Sequence, residues 1–387
     1  MRVPLSRRRF ARSVASALGA CIVAPGMARA AIETAAAPAA APPRTGLPPG
    51  AVRLDSNENP YGPSPKALEA MSRSQAIAAR YPDALEEKLS RSLADLHGVA
   101  PENVLLGCGS GEILRMADMA FLGPNQRVVA AVPTFEAVLS YARVTRAEPI
   151  KVPLTPDYRH DLPAMAAACE GPAGLVYVCN PNNPTGTIVT RDQLGAFIAR
   201  IPKTTMILVD EAYHHFVEDA AYASAFEWIG RTPNLIVVRT FSKIYGLAGM
   251  RLGYAVGARE AIDGMARHRI WSNTNAAVLE AALASLEDGG HVPRNRRALN
   301  ETRRRLCDEV RKDGRAVMPS EANFVMIEVG SDVEPVIAAL RARDVLAGRK
   351  FPSLANWLRV SIGTPDEMRR FLAAFRAVVP AREIRAA

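Results

Sequence analysis

Six apolar runs, most of them ending in a polar or glycine-rich cluster, constrain this chain more than any other feature. They are Val104–Leu106, Arg127–Val132, Gly174–Cys179, Met206–Asp210, Leu235–Thr240 and Gly253–Val256. Amphipathic stretches of helical length lie between several of them, among them Glu112–Leu122, Pro133–Thr145 and Arg191–Ile201. Short apolar runs alternating with helical patterns predict an α/β fold with a mostly parallel central sheet and helices on both faces. Binding groups in such sheets gather beyond the C-terminal ends of the strands. The pattern changes after about residue 290, where Arg294–Val310 is an Arg-rich helix pattern and Asn323–Val329 and Trp357–Ile362 read as strands. A smaller C-terminal α+β lobe is expected there.

Four clusters follow apolar runs. Gly107-Cys108-Gly109-Ser110-Gly111-Glu112 leaves a strand and opens a helix. Glycines permit close backbone approach, and free N–H groups at a helix start attract an anion. By itself this segment reads equally well as a tight turn. Asn180-Pro181-Asn182-Asn183-Pro184-Thr185-Gly186 is a rigid loop by composition. Met206–Asp210 delivers a carboxylate at a strand end, with Tyr213 three residues on. A buried Asp needs a cationic partner, although an Asp here could also cap the next segment. Last comes Thr240-Phe241-Ser242-Lys243, with Arg251 eight residues beyond the lysine. Hydroxyls with an arginine suit a phosphate. A desolvated lysine beside other cations suits Schiff-base chemistry.

The N-terminus reads as an address. Residues 1–30 hold six arginines and no acid, a short apolar stretch from Val14 to Val23, and an Ala28-Arg29-Ala30 end. This is an export-signal pattern. Ser6-Arg7-Arg8-Arg9-Phe10 resembles the twin-arginine signal, which predicts a periplasmic or exported bacterial protein and the twin-arginine machinery as a partner. Leu18-Gly19-Ala20-Cys21 loosely resembles a lipoprotein box. Residues 31–50, with seven alanines and five prolines, read as a linker. Without the six leader arginines the net charge falls from +9 to +3, so the basic balance makes no case for nucleic acid. Beyond residue 30 no apolar run approaches the roughly 18 residues of a membrane span, and no stable membrane association is expected. The expected organisation is a signal over 1–30, a linker over 31–50, an N-terminal segment over 51–80, a large domain over 81–290 and a small one over 291–387.

Taken in order, the motifs resemble those of the fold-type-I pyridoxal-phosphate aminotransferases. They are Gly107-Cys108-Gly109-Ser110, Asn180–Gly186, Asp210-Glu211-Ala212-Tyr213, Ser242-Lys243 with Arg251, and Leu358–Thr364. Asn57-Glu58-Asn59-Pro60-Tyr61-Gly62-Pro63 and Tyr81-Pro82-Asp83 are similar to motifs of the histidinol-phosphate aminotransferase group. The resemblance spans about residues 52–380. It implies pyridoxal 5′-phosphate as cofactor, carried by Lys243 as a Schiff base, and the lysine's amine as the group that moves a proton at the substrate α-carbon. Asp210 would pair with the ring nitrogen. Asn183 and Tyr213 would bond the ring's phenolic oxygen, and Phe135 would stack on the ring. Ser110, Gly111, Thr240, Ser242 and Arg251 would hold the phosphate. Tyr81 would reach the cofactor phosphate of a second subunit, which implies a homodimer. Arg359 would grip the substrate carboxylate, with Tyr61, Asn323 and Arg349 also at the substrate.

The implied activity is transfer of an amino group from an amino acid or similar donor to a 2-oxo acid. A decarboxylase on the same scaffold would use the same Lys243 and Asp210, whereas Lys243 with its full set of neighbours argues against a non-catalytic binding protein that only retains the scaffold. Two positions depart from the family pattern. Gly111 stands where relatives carry Asp. Ala347-Gly348 precede Arg349, which displaces that cation from its place in histidinol-phosphate enzymes. His214-His215 read as helix or pocket-wall residues rather than metal ligands, and no metal site is expected. Cys108, Cys169, Cys179 and Cys307 could pair in an oxidising compartment, and Cys179 reads as a buried small side chain.

Overall fold

Seven strands form one sheet in the computed structural model, which describes residues 50–382. The expected signal and nearly all of the expected linker lie outside the described residues. In chain order the strands are β1 (Val52–Arg53), β2 (Val104–Gly107), β3 (Arg127–Val132), β4 (Glu148–Pro153), β5 (Ala173–Cys179), β6 (Met206–Asp210), β7 (Leu235–Thr240), β8 (Gly253–Gly257), β9 (Phe324–Glu328), β10 (Val345–Leu346) and β11 (Trp357–Ser361). The large sheet runs β2-β8-β7-β6-β5-β3-β4. Its parallel contacts run from β4 to β7, and β8 lies antiparallel to both β7 and β2. The C-terminal ends of β2, β3, β5, β6 and β7 therefore share one edge with the N-terminal end of β8.

Both faces of this sheet are covered, which is why its central strands are apolar throughout rather than alternating. One face carries Leu105, Val128, Ala130, Leu175, Tyr177, Leu208, Ile236, Val238 and Ala255 against helices Ser110–Phe121, Ala137–Thr145 and Arg259–Ala266. The other packs Val129, Val176, Val178, Ile207, Val209 and Val237 on helices Leu162–Ala168 and Arg191–Arg200. Strand β4 escaped the sequence reading. It is an exposed edge strand with a proline at Pro149 and another at Pro153, positions that only an edge tolerates.

The C-terminal part pairs β9 with β11 antiparallel, backed by helices His291–Lys312, Val333–Arg341 and Pro365–Val378. The N-terminal segment crosses to it. β1 pairs with β10 in parallel, and the Asn57 N–H donates to Ser361 Oγ at 2.7 Å. The helix expected from Pro133 starts instead at Ala137, because Pro133–Glu136 is the loop that leaves β3 for the site.

Candidate active site

The shared strand edge opens into a cavity of about 350 Å³. Its lining includes Ser110, Gly111, Phe135, Asn183, Asp210, Tyr213, Thr240, Ser242, Lys243, Arg251, Arg349 and Arg359. Most lie at or just beyond a strand end of the large sheet: Asp210 and Thr240 close β6 and β7, Ser110 and Gly111 open the helix after β2, and Arg251 stands just before β8, while Arg359 comes from within β11 of the smaller sheet. Residues far apart in the chain converge because the strands that deliver them run the same way.

Lys243 Nζ lies at the floor, 3.4 Å from the Ser56 carbonyl oxygen. Burial lowers its pKa to about 8, and the guanidiniums of Arg359 and Arg251 push the same way, against Glu58 and Asp210. The amine is therefore substantially uncharged in mildly alkaline conditions. Asp210 is fully buried at the end of β6, and burial raises its carboxyl pKa to about 6. Two donors restrain that rise. Tyr177 Oη donates to Oδ2 at 3.0 Å, and the Ala212 N–H donates to Oδ1 at 3.0 Å.

A cradle lies across the cavity. Helix Ser110–Phe121 starts there, after Gly109 at φ +83°. Two glycines set its shape. A Cβ on Gly109 would sit 2.2 Å from Arg251 Nη2, and one on Gly253 would sit 2.4 Å from the Ser110 nitrogen. Arg251 in turn donates to Ser242 Oγ at 3.4 Å and to the Ala248 carbonyl at 2.9 Å. Thr240 Oγ1 accepts the Ser242 N–H at 3.0 Å. A helix start, two hydroxyls and a guanidinium make a dianion site.

Tyr213 Oη accepts from Asn57 Nδ2 at 3.1 Å and from Asn183 Nδ2 at 3.5 Å. Burial pushes the phenol up, so it stays protonated at neutral pH and retains a hydrogen to donate. Asn183 Oδ1 accepts from Arg359 Nη1 at 2.8 Å, and Arg359 Nη2 donates to the Asp55 carbonyl at 2.9 Å. This guanidinium is buried, stands over the Phe351 and Phe324 rings, and keeps Nε without a hydrogen bond. Arg349 lies at the rim over the other part of Phe351 and pairs with Glu136 at 2.8 Å.

The donor set fits a phosphorylated pyridine aldehyde. The dianion cradle, the buried carboxylate, which has no ion pair among the described residues, and the amine of Lys243 face one cavity. Phe135 is 39% exposed beside it, available for an aromatic face. Three other expected residues lie elsewhere. Tyr61 lines a separate small cavity with Pro63, Pro65, His291, Arg294, Asn295 and Ala298. Asn323 is buried and donates to the Asn57 and Glu58 carbonyls, so it fastens the N-terminal segment rather than lining the pocket. Tyr81 is 81% exposed at the start of helix Asp83–His97 and outside the pocket.

The sequence reading missed Asn57 as the nearer partner of Tyr213, although it had quoted the motif that contains it. Asn57 holds φ +53°, a backbone state that asparagine tolerates better than most. It also missed Tyr177, which sits in an apolar run with no polar neighbour to mark it. His214 and His215 lie away from the cavity, His214 Nδ1 bonding Tyr222 Oη and His215 packing on the Tyr245 ring. The four described cysteines are free thiols.

Comparison with known proteins places this arrangement. The family described as aminotransferase class I and II matches residues 49–375. A histidinol-phosphate aminotransferase of Moorella thermoacetica is 39% identical over 332 residues, covering 85% of each chain. An aromatic amino acid aminotransferase of Rhodococcus jostii is 38% identical over 325 residues, covering 84% of this chain and 89% of that one. The crystal structure of histidinol-phosphate aminotransferase from Sinorhizobium meliloti in complex with pyridoxal-5′-phosphate matches at a TM-score of 0.81 and 28% identity, over 85% of this chain and 90% of that one.

Proposed function

This chain belongs to the class I and II aminotransferase family, and we propose that it moves an amino group between an amino acid or amino-acid-like donor and a 2-oxo acid, with Lys243 as the cofactor-bearing residue. The enzyme is a pyridoxal-phosphate-dependent aminotransferase of fold type I. One observation carries the residue roles: Lys243, Asp210 and the Ser110–Arg251 cradle face one cavity.

Bound there, pyridoxal phosphate supplies an electron sink for the pair released at the substrate α-carbon. Asp210 serves it by remaining ionised above about pH 6, ready to accept the ring N–H. The amine of Lys243, with its pKa held at about 8, would bear the cofactor as its nucleophile and could serve as the group that moves a proton at the substrate α-carbon. The Ser110 and Gly111 backbone, Thr240, Ser242 and Arg251 hold the phosphate. Tyr213, its oxygen held by Asn57 and Asn183, would donate to the ring's phenolic oxygen. Arg359, anchored by Asn183 and Asp55, presents its guanidinium to the substrate carboxylate. Arg349 is tied to Glu136 at the rim and meets only the far end of a substrate.

Histidinol phosphate is one candidate substrate by the Moorella and Sinorhizobium likenesses, and aromatic amino acids are another by the Rhodococcus likeness. We further propose export through the twin-arginine route, which carries folded, cofactor-loaded proteins. Its support is the Ser6–Phe10 run, and loss of periplasmic protein on replacing Arg7 and Arg8 by lysine tests it.

The test of function is a donor screen with product analysis. Transamination yields one 2-oxo acid per donor consumed and one amino acid from the acceptor. Carbon dioxide release without 2-oxo acid would replace this reading with decarboxylation.

A further inference from the structure

Two alternate residues of β5, Tyr177 and Cys179, lie on the same sheet face as Asp210 of neighbouring β6. The register sets Tyr177 opposite Leu208 and Cys179 opposite Asp210. Tyr177 is wholly buried, yet carries a hydroxyl in a core face whose nearest cross-strand residues are Ala130 and Leu208. A buried hydroxyl without a partner is costly, and a phenylalanine would fill this core with no such cost. The hydroxyl's bond in the structure is to Asp210 Oδ2, at 3.0 Å.

We infer that Tyr177 is a positioning residue for cofactor chemistry: its phenol orients the Asp210 carboxylate and holds it ionised for the ring nitrogen it would serve. This inference rests on the proposed pairing of Asp210 with that nitrogen. The reasoning is one of proton affinity. A carboxylate and a pyridine nitrogen share one proton. Any donor to the carboxylate lowers its appetite for that proton and leaves it on the ring, where it makes the ring an electron sink. Ala212 N–H supplies one such donor, fixed by the backbone. Tyr177 supplies the second, the only side-chain donor to this carboxylate among the described residues.

The other groups around Asp210 do not take over this task. Glu211, the next residue, opposes ionisation, but its own carboxylate is turned to Arg239, Ser224 and the Ala225 N–H. Lys243 favours ionisation through space, and attaching the cofactor consumes that amine. Cys179 Sγ donates to the Pro181 carbonyl at 3.3 Å, and burial keeps its thiol protonated. Tyr213 is also kept protonated by burial, its oxygen committed to Asn57 and Asn183.

The test is Tyr177→Phe, read first without cofactor. Infrared titration of aspartate-labelled apoprotein, with Asp210→Asn as the difference blank, follows one carboxyl. Removing a hydrogen bond to a charged acceptor is expected to raise its pKa by about one unit. Pyridoxal phosphate binding should then weaken at a correspondingly higher pH. In the loaded enzyme kcat should fall about tenfold while KM for the amino donor stays unchanged, because Tyr177 touches no substrate. A second variant reverses the sign. A fluorinated tyrosine at position 177 is a stronger donor and should lower the same titration. An unmoved titration in both variants overturns the inference, as does a KM that moves with kcat. If the titration shifts as expected but borohydride traps no cofactor on Lys243, the coupling stands and the functional reading fails instead.

Discussion

Asp210 shows how burial and chemistry work against each other at a single side chain. Its pKa is raised to about 6 from a carboxylate's usual 3.8. Without cofactor, its charge therefore weakens the fold: the penalty is absent below about pH 4, grows as pH rises toward 6, and is complete above that. Its size is on the order of 3 kcal/mol. Asp210→Asn should raise the apoprotein's melting temperature by a few degrees at pH 8 and leave it unchanged at pH 4. The same variant should bind pyridoxal phosphate weakly and turn over poorly. Equal melting shifts at both pH values would show that ionisation is not the cause. Lys243 carries the opposite case, an amine freed by burial, so cofactor attachment to apoprotein should accelerate as pH rises through about 8. Arg359→Ala should cost roughly 2–4 kcal/mol in kcat/KM for carboxylated donors, measured against a donor lacking the carboxylate. Asp210 and Lys243 were legible because each follows an apolar run within a motif, and Arg359 only through the family resemblance. Tyr177 was not, because a phenol inside a strand resembles any other large core residue until its neighbour across the sheet is known.

At the level of elements, the site depends on strand ends and the glycines between them. The bounds of β3, β6 and β7 match the sequence reading because both sheet faces are covered and the apolar run ends where the chain leaves the core. β4 did not, since an exposed edge removes the apolar signal and admits proline. Asn323 was placed at the substrate on motif position alone. Its actual bonds, to the carbonyls of Asn57 and Glu58, depend on where the N-terminal segment crosses, which no local pattern encodes. Gly253 is legible only afterwards as a spacer that lets β8 approach the helix start at Ser110. Gly253→Ala would press a methyl group onto that backbone nitrogen. Cofactor affinity should fall at least tenfold while far-ultraviolet circular dichroism stays native. An unchanged dissociation constant would mean that the cradle tolerates displacement.

For the whole molecule, the described surface exposes Leu68, Ile77, Tyr81, Ile270 and Trp271. Trp271 is 91% exposed, which is unusual for its size. Such exposure suits the homodimer that the family resemblance implies, in which Tyr81 would reach the partner's cofactor phosphate. Trp271→Asp should convert the dimer to monomer in sedimentation, and cofactor affinity should fall with it. A monomeric native enzyme of full activity would contradict the proposal. The central claim remains that one buried amine at the end of β7 carries the cofactor. The most direct measurement is borohydride reduction of the purified holoenzyme, followed by proteolysis and mass spectrometry. The expected result is one phosphopyridoxyl group per chain on the peptide containing Lys243, absent in Lys243→Ala. Reduction that leaves Lys243 unmodified, or places the adduct on another lysine, would contradict it.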